Sequence, residues 1–382
     1  MVLSGAHGAK LADAKGFNGQ DSTALTVLDL ATQEVRYVWL PISDGHIPIH
    51  LTDGRTMCCG QYHERTVVLD KNLNITHTLT APEGYLYTGH PLTDAPRNRV
   101  YVPLKAKAQK GTEAEGLIEV FNLKTLEKEG HYPSGATAPH ELRFLPGNTQ
   151  MAVCHYGDII TDTIPGQEKQ LDKTHLTLMD LDTMAVAKTI PTHLNAMLTH
   201  MDVGDDGHVY AVLSQFLMYP QITDVEANIK LADNRLHEAM GIKRDWPLSR
   251  AMVDDWRYDF PMPILRINPQ TADIQSIFIN PGFHLRCQSV AAHHPSHLVF
   301  VTGHYSNTLM AYNTQTGKTA AINGDTYDIA DMRGVCTLEG TPYIALSGLE
   351  HSIAIIDTTT LKRVRYYSLP VYQATHIVHI PA

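Results

Sequence analysis

One strand-like phrase occurs seven times along this chain, and this repetition limits the possible fold more than any other feature. Each copy is an apolar run that closes on an Asp or Asn turn, as in "TALTVLDLAT", "HLTLMDLDT" and "SIAIIDTTT". The closing residues are separated by 41, 52, 58, 88, 45 and 44 residues, and they are Asp29, Asp70, Asn122, Asp180, Asn268, Asn313 and Asp357. The shortest separations match the four-strand unit of a propeller blade.

A second recurring segment precedes these phrases and has the form strand, polar turn, strand, as in "HELRFLPGNTQMAVCH". The copy that is missing is divided between the chain ends, "HIVHIPA" and "VLSGAHG". The sequence therefore predicts an all-β, seven-bladed β-propeller that is one domain and is closed by a C-terminal strand pairing into the N-terminal blade. The predicted blades are 376–382 with 1–41, 42–82, 83–133, 134–192, 193–280, 281–325 and 326–371.

Three insertions separate predicted second and third strands, and they cover 105–115, 156–174 and 216–261. The longest one contains a predicted helix from Asp224 to Met240, with a capping box at Thr223 and Glu226. We expect this segment to form a helical lid. An eighth, degenerate blade within 216–261 is the alternative.

Composition excludes several classes of protein. A net charge of −10 without a run of Lys or Arg argues against nucleic acid or an anionic membrane as the main partner. The sequence has no run of eighteen apolar residues and no recognisable export signal, so we expect no membrane span. Five cysteines without a CxxC pair indicate neither a disulfide framework nor a zinc ribbon.

Histidines recur at the start of the predicted innermost strands. In a propeller these strands line the central channel, so their first residues meet at its mouth. Five of the seven positions are histidine, and the full set is His376, His46, His90, His140, His200, Ser289 or its neighbour Gln288, and Arg333. We expect the five histidines to bind a metal, although copying of one structural histidine during blade duplication is the alternative.

The expected metal follows from the ligand type. Imidazoles without thiolates or a carboxylate cluster suit copper or iron, with zinc as a third choice, and disfavour calcium. Arg333 and Gln288 are predicted to tune or cap this site, and Arg333 has a structural ion pair with Asp331 as its alternative role.

The predicted second strands end on the same face and carry a further polar set. We retain three of its members as candidate ligand-binding residues, which are Lys105, His155 and His304. Ordinary loop histidines would also fit these positions.

Several phrases resemble one bacterial family. "GHPLTDAPRNRVYVPL", "SGATAPHELRFLPGNTQMAV" and "LTHMDVGDDGHVYAV" are similar to the domain-of-unknown-function 1513 propellers, which are often found beside imelysin-type iron-uptake proteins. The resemblance runs from about residue 40 to the C-terminus. It implies a seven-bladed propeller, a periplasmic location, a role near iron or another metal, and iron-uptake proteins as partners, but no catalytic residue.

Three functions are compatible with these observations. The first is a periplasmic metal-binding propeller, accessory to iron or copper uptake or handling. The second is a metal-assisted lyase on acidic sugars, with Lys105, His155 and Arg333 as substrate contacts. The third is a protein-interaction propeller that uses the aromatic residues of 216–261. A closed ring of blades needs no partner for stability, so we expect a monomer.

Overall fold

The computed structural model describes residues 2–4, 23–42, 45–107, 115–157, 174–192, 196–216, 263–277, 287–304, 306–348, 352–369 and 376–380. These residues form 29 β-strands in seven antiparallel sheets, together with two 3₁₀ turns at His294–Ser296 and Gly324–Tyr327. None of the helical segments in the described part of the chain is long and apolar enough to cross a membrane.

Each sheet has the same order of strands, from the ring axis outward. The innermost strands are β4 (Gly45–His50), β8 (Tyr85–Tyr87) with β9 (Leu92–Asp94), β13 (Pro139–Phe144), β17 (Ala196–Val203), β21 (Cys287–His293), β25 (Met332–Leu338) and β29 (His376–Val378). The second strands are β1 (Val2–Ser4), β5 (Thr56–Gly60), β10 (Arg99–Ala106), β14 (Gln150–His155), β18 (Val209–Phe216), β22 (Leu298–Gly303) and β26 (Tyr343–Gly348).

The third and outermost strands complete the sheets. The third strands are β2 (Thr23–Leu28), β6 (Arg65–Leu69), β11 (Leu117–Asn122), β15 (His175–Asp180), β19 (Ile264–Ile267), β23 (Thr308–Asn313) and β27 (Ser352–Asp357). The outermost strands are β3 (Val35–Leu40), β7 (Ile75–Thr80), β12 (Lys128–Pro133), β16 (Val186–Pro191), β20 (Ile274–Ile277), β24 (Thr319–Asn323) and β28 (Arg363–Ser368).

The sheets form a closed ring, so the prediction of an all-β propeller is confirmed. The strand β4 contacts β9, β10 contacts β13, and the series continues through β17, β21, β25 and β29 back to β4. The C-terminal strand β29 also pairs antiparallel with β1, with His376 opposite Ser4. The first and last strands of the ring therefore share one sheet, which leaves no open edge at this junction.

The repeated phrase is explained by the turn between the third and outermost strands. In the last sheet, Asp357 Oδ1 accepts hydrogen bonds from the backbone N–H groups of Thr359 and Thr360. The backbone N–H of Leu361, which has a positive φ, then closes the turn on the carbonyl of Asp357. Asp and Asn are favoured here because their short side chains bond their own backbone a few residues further on.

The apolar core lies in layers between neighbouring sheets. One layer combines Leu28 of β2, Ile353 of β27 and Ile377 of β29, which belong to two adjacent sheets. The vicinal cysteines follow the same rule, since Cys58 packs with Leu25 on one side and Cys59 packs with Tyr87 on the other. Burial raises the pKa of the Cys59 thiol to about 12, which fits packing and not redox chemistry.

The insertions fall between second and third strands, as their sequence positions predict. Within the two shorter insertions, the described residues end at Lys107 and Gly157 and resume at Glu115 and Thr174. The predicted helix from Asp224 to Met240 and the residues that would form an eighth blade lie outside the described residues. So do the aromatic residues of the third hypothesis, which are Trp246, Trp256, Tyr258 and Phe260.

We expect the closing strand to contribute strongly to stability. Ile377→Ala removes a side chain that is 4% exposed within the layer between the first and last sheets, so it should lower the free energy of unfolding by about 2–4 kcal/mol. Urea unfolding measures this change. Val364→Ala on the outermost strand β28, where Val364 is 48% exposed, is the control and should stay within about 0.5 kcal/mol of wild type. Equal losses in both variants would contradict a special role for the closing strand.

Candidate metal centre

Backbone irregularities place the predicted channel residues. In the sheets of β4, β13, β17, β21 and β25, the pairing between the innermost and second strands shifts register at the start of the innermost strand. The residues left unpaired by these shifts include His46, His140, Gln288 and Arg333. A β-bulge bends the strand and redirects the side chain of its extra residue.

In the sheet of β8 to β12, a break in the innermost strand places a predicted channel residue. His90 lies between β8 and β9, and it forms a parallel bridge with Glu141 of the next sheet. Its backbone N–H donates to the carbonyl of His140 at 3.1 Å. This hydrogen bond fixes His90 against the neighbouring innermost strand.

All five predicted histidines lie together and are buried. Nitrogen atoms of four of them lie within 4.8 Å of one another, and these are His46, His90, His140 and His200. The Nε2 atoms of His46 and His140 are 3.1 Å apart. The ring of His376 packs against three of these rings, with centroid distances of 4.1 Å to His46, 4.9 Å to His90 and 5.1 Å to His200.

Glycine is required beside this cluster. Gly89 has a φ of +142°, and a Cβ atom there would lie 2.6 Å from His46 Cδ2 and 2.8 Å from His140 Cε1. Any side chain would therefore push these two rings apart.

Glu141 supports two of the histidines, although the sequence analysis gave it no role. Its Oε1 lies 3.1 Å from His90 Nδ1, and its Oε2 lies 3.3 Å from His200 Nδ1. With Nδ1 facing a carboxylate, each ring retains Nε2 for a ligand. This is the carboxylate–histidine arrangement that orients metal ligands and raises their basicity.

Glu141 itself is buried and ionised. It contacts Arg143 Nη2 at 2.5 Å and accepts a hydrogen bond from the backbone N–H of Met201 at 2.7 Å. Burial opposes ionisation, but the charge of Arg143 and the contacts with His90 and His200 outweigh it and hold the pKa of Glu141 well below its usual value.

His140 is oriented by a different partner. Its Nδ1 lies 2.6 Å from the carbonyl oxygen of Thr88, which can only accept, so Nδ1 carries the proton. Its Nε2 therefore offers a lone pair, and Tyr156 Oη lies 2.7 Å from that nitrogen.

His46, His90, His140 and His376 are neutral at pH 7, because the pKa of each lies below its ordinary value. Burial lowers the pKa of His90 to about 4, and burial together with neighbouring histidines lowers the pKa of His46, His140 and His376 well below the ordinary value. The Nε2 atoms of His90 and His376 have no hydrogen-bond partner within the described part of the chain. Unpaired buried nitrogens are costly in a folded protein, and a metal ion would satisfy them.

These residues fit a transition metal. The donor set consists of neutral imidazoles without a thiolate, which suits copper, iron or zinc. A metal ion held by these four histidines could accept a further ligand by becoming five-coordinate.

The other predicted site residues lie outside this group of nitrogens. His155 is fully buried in β14, where its Nδ1 lies 3.2 Å from the carbonyl of His175 and its Nε2 lies 3.1 Å from Oγ of Ser134, which follows β12 of the preceding sheet. Burial lowers the pKa of His155 to about 3. Lys105 Nζ lies 4.8 Å above the ring of Tyr62, and Gln288 is half-buried in β21.

His304 and Arg333 form a pair of their own. Arg333 Nη2 donates to His304 Nε2 at 2.8 Å. Asp331 contacts His304 Nδ1 and lies 3.7 Å from Arg333 Nη2. The structural ion pair considered for Arg333 is therefore present. Arg333 still acts on the cluster, because its charge helps to lower the pKa of His376.

Comparison with known proteins supports the family resemblance over part of the chain. Residues 60–219 match the family described as "Protein of unknown function (DUF1513)". This stretch contains His90, His140 and His200, together with Glu141. No match to curated proteins was found.

Solved structures support the fold. The structure of "Kuenenia stuttgartiensis Hydrazine Synthase" aligns with a TM-score of 0.58 and 10% identity, and the alignment covers 92% of this chain and 90% of that one. A structure titled "Streptogramin B lyase structure" aligns with a TM-score of 0.55 and 11% identity over 88% and 87% of the two chains. At these identities the similarity shows a shared fold and not a shared chemistry.

Gly89→Ala should separate His46 from His140. We expect metal affinity to fall by at least about tenfold, because the added methyl group occupies the space between the two rings. Titration with Cu(II), Fe(III) and Zn(II) measures the change. Gly84→Ala is the matched control, since Gly84 also has a positive φ but a Cβ atom there would meet nothing within 4 Å. It should lose some stability and retain metal affinity. Similar losses of affinity in both variants would contradict the steric explanation.

Glu141→Gln should weaken metal binding by about 10- to 100-fold. The amide has one acceptor oxygen and no charge, so it cannot accept from the Nδ1 atoms of both His90 and His200. Isothermal titration with the metal measures the loss. Glu129→Gln, which removes a partly exposed ion pair with Arg99, is the control and should bind metal like wild type. Unchanged affinity in Glu141→Gln would show that the carboxylate does not orient the ligands.

Proposed function

We propose that this protein is a metal-binding propeller, in which the buried histidine cluster holds a copper or iron ion for uptake or handling of that metal. Zinc is the third choice. The observation that carries the proposal is the convergence of four buried histidines, with nitrogens within 4.8 Å of one another, from four different sheets.

Blade duplication alone does not account for this arrangement. An inherited structural histidine needs partners only for its own two ring nitrogens, as His155 has in the His175 carbonyl and Ser134 Oγ. Glu141 instead lies between His90 of the preceding sheet and His200 of the following one. A carboxylate shared between two blades is consistent with one common site at the axis.

The position and protonation of the histidines favour metal over other ligands. Their neutral rings offer lone pairs and little charge, so they suit a cation better than an anion. Burial of the cluster keeps bulk water from competing for the metal. An ion in such a site would exchange slowly with solvent.

The periplasmic location and the partnership with iron-uptake proteins are parts of the same proposal. They are supported by the resemblance to the DUF1513 propellers, which the match over residues 60–219 strengthens. Detection of the protein in a periplasmic fraction, and its recovery with an imelysin-type protein, would test these parts separately from metal binding.

Metal binding is favoured over the lyase alternative by the positions of the basic residues. A lyase acting on an acidic sugar needs cationic side chains aimed at the carboxylate of the substrate. Arg333 is engaged with His304 and Asp331, and Lys105 lies over Tyr62. One structural neighbour is named a lyase, but a similarity at 11% identity supports only the fold.

Metal content of the purified protein is the decisive measurement. We expect about one equivalent of copper, iron or zinc by elemental mass spectrometry, and loss of most of it in a His140→Ala, His200→Ala double variant. Removal of two of four donors leaves too few ligands to retain the ion. Loss of the metal by chelator treatment should be reversible.

The control uses two histidines far from the axis. His77 and His131 are exposed on the outermost strands β7 and β12, so His77→Ala with His131→Ala should leave metal content unchanged. Wild-type protein that contains no metal and takes up none of the three ions would overturn the proposal.

A further inference from the structure

Tyr156 lies directly against the histidine cluster. Its ring stacks on His140 with a centroid distance of 4.1 Å and an interplanar angle of 26°. Its backbone N–H donates to the carbonyl of Ala138, and its side chain is buried. The phenol is thus held in place from both the backbone and the ring face.

The phenol oxygen of Tyr156 points at His140 Nε2, the nitrogen that would bind a metal. His140 Nδ1 donates to Thr88, so Nε2 is the acceptor and Tyr156 donates its O–H to it at 2.7 Å. The same Nε2 lies 3.1 Å from His46 Nε2. A metal ion bound to these two nitrogens takes the lone pair that accepts this hydrogen bond, and Tyr156 Oη is then next to the ion.

We propose that Tyr156 supplies a phenolate oxygen as a further ligand of the metal in the histidine cluster, and that the site therefore prefers Fe(III) and Cu(II) to Zn(II). This inference rests on the proposed function. On binding, the Tyr156 O–H bond breaks, the proton leaves to solvent, and an oxygen lone pair forms the bond to the metal. No electron is transferred.

A second residue supports the phenolate. Gln61 Nε2 lies 3.2 Å from Tyr156 Oη and donates a hydrogen bond to it. A hydrogen bond to an anionic oxygen is stronger than one to a neutral hydroxyl, so this contact gains strength when the phenol loses its proton. Phenolate is a hard anionic donor that matches Fe(III), and Cu(II) binds a given nitrogen and oxygen donor set more tightly than Zn(II) does.

The test uses Tyr156→Phe with each metal added alone. Wild-type protein loaded with Fe(III) should show a visible phenolate-to-metal charge-transfer band, and Tyr156→Phe should lose the band. Affinity for Fe(III) and Cu(II) should fall at least about tenfold in Tyr156→Phe, whereas affinity for Zn(II) should change by less than about threefold. Retained Zn(II) binding also shows that the variant is folded.

Tyr62→Phe is the matched control. Tyr62 lies 6.5 Å from Tyr156 between ring centroids and is 40% exposed, so this variant should keep both the band and the affinities. Wild-type protein that binds Fe(III) without the band, or tighter Fe(III) binding by Tyr156→Phe, would overturn the inference and leave the metal site standing. Failure of wild type to bind any of the three ions would overturn both.

Discussion

The buried carboxylate of Glu141 is the group on which the candidate site depends. A charge that is removed from water must be paired, because desolvation of an isolated ion costs several kcal/mol. Glu141 meets this requirement with Arg143 on its own strand, the Met201 N–H on the next sheet, and the Nδ1 atoms of His90 and His200. The pairing that stabilises the carboxylate also orients two histidines from different blades, so the electrostatics of this one residue couple three sheets to the site.

The propeller can accommodate this coupling at its axis because its stability comes from the apolar layers between sheets. The apolar layers lie between neighbouring sheets, and the second and third strands carry most of the buried hydrophobic residues. The starts of the innermost strands can therefore depart from regular pairing, and bulges at His46 and His140 turn their side chains away from the ladder. Irregular backbone at the axis is tolerated because the layers between sheets hold the ring together.

The repeat was sufficient to predict the propeller, the closing strand and the positions of the five histidines. It predicted less about what surrounds them. In a regular strand, neighbouring side chains point to opposite faces, so His140 and Glu141 would not be expected to serve one site. The register shift between Pro139 and Glu141 removes that restriction, and nothing in the phrase "PHELRF" reveals it. Tyr156 was missed for a related reason, since its contact with His140 depends on how β14 ends and not on spacing along the chain.

The charge balance around the cluster gives a reason for an anionic ligand beside the histidines. Four imidazoles are neutral donors, and the charge of Glu141 is opposed by Arg143, which also contacts Asp202 at 3.3 Å. Little of the charge of a bound cation is therefore neutralised by its immediate surroundings, and a low-dielectric site makes that imbalance expensive. Tyr156 lies next to the cluster and can become anionic by losing a proton, and Gln61 already donates to its oxygen. The charge balance thus calls for an anionic ligand, and the position of the phenol identifies Tyr156 as that ligand.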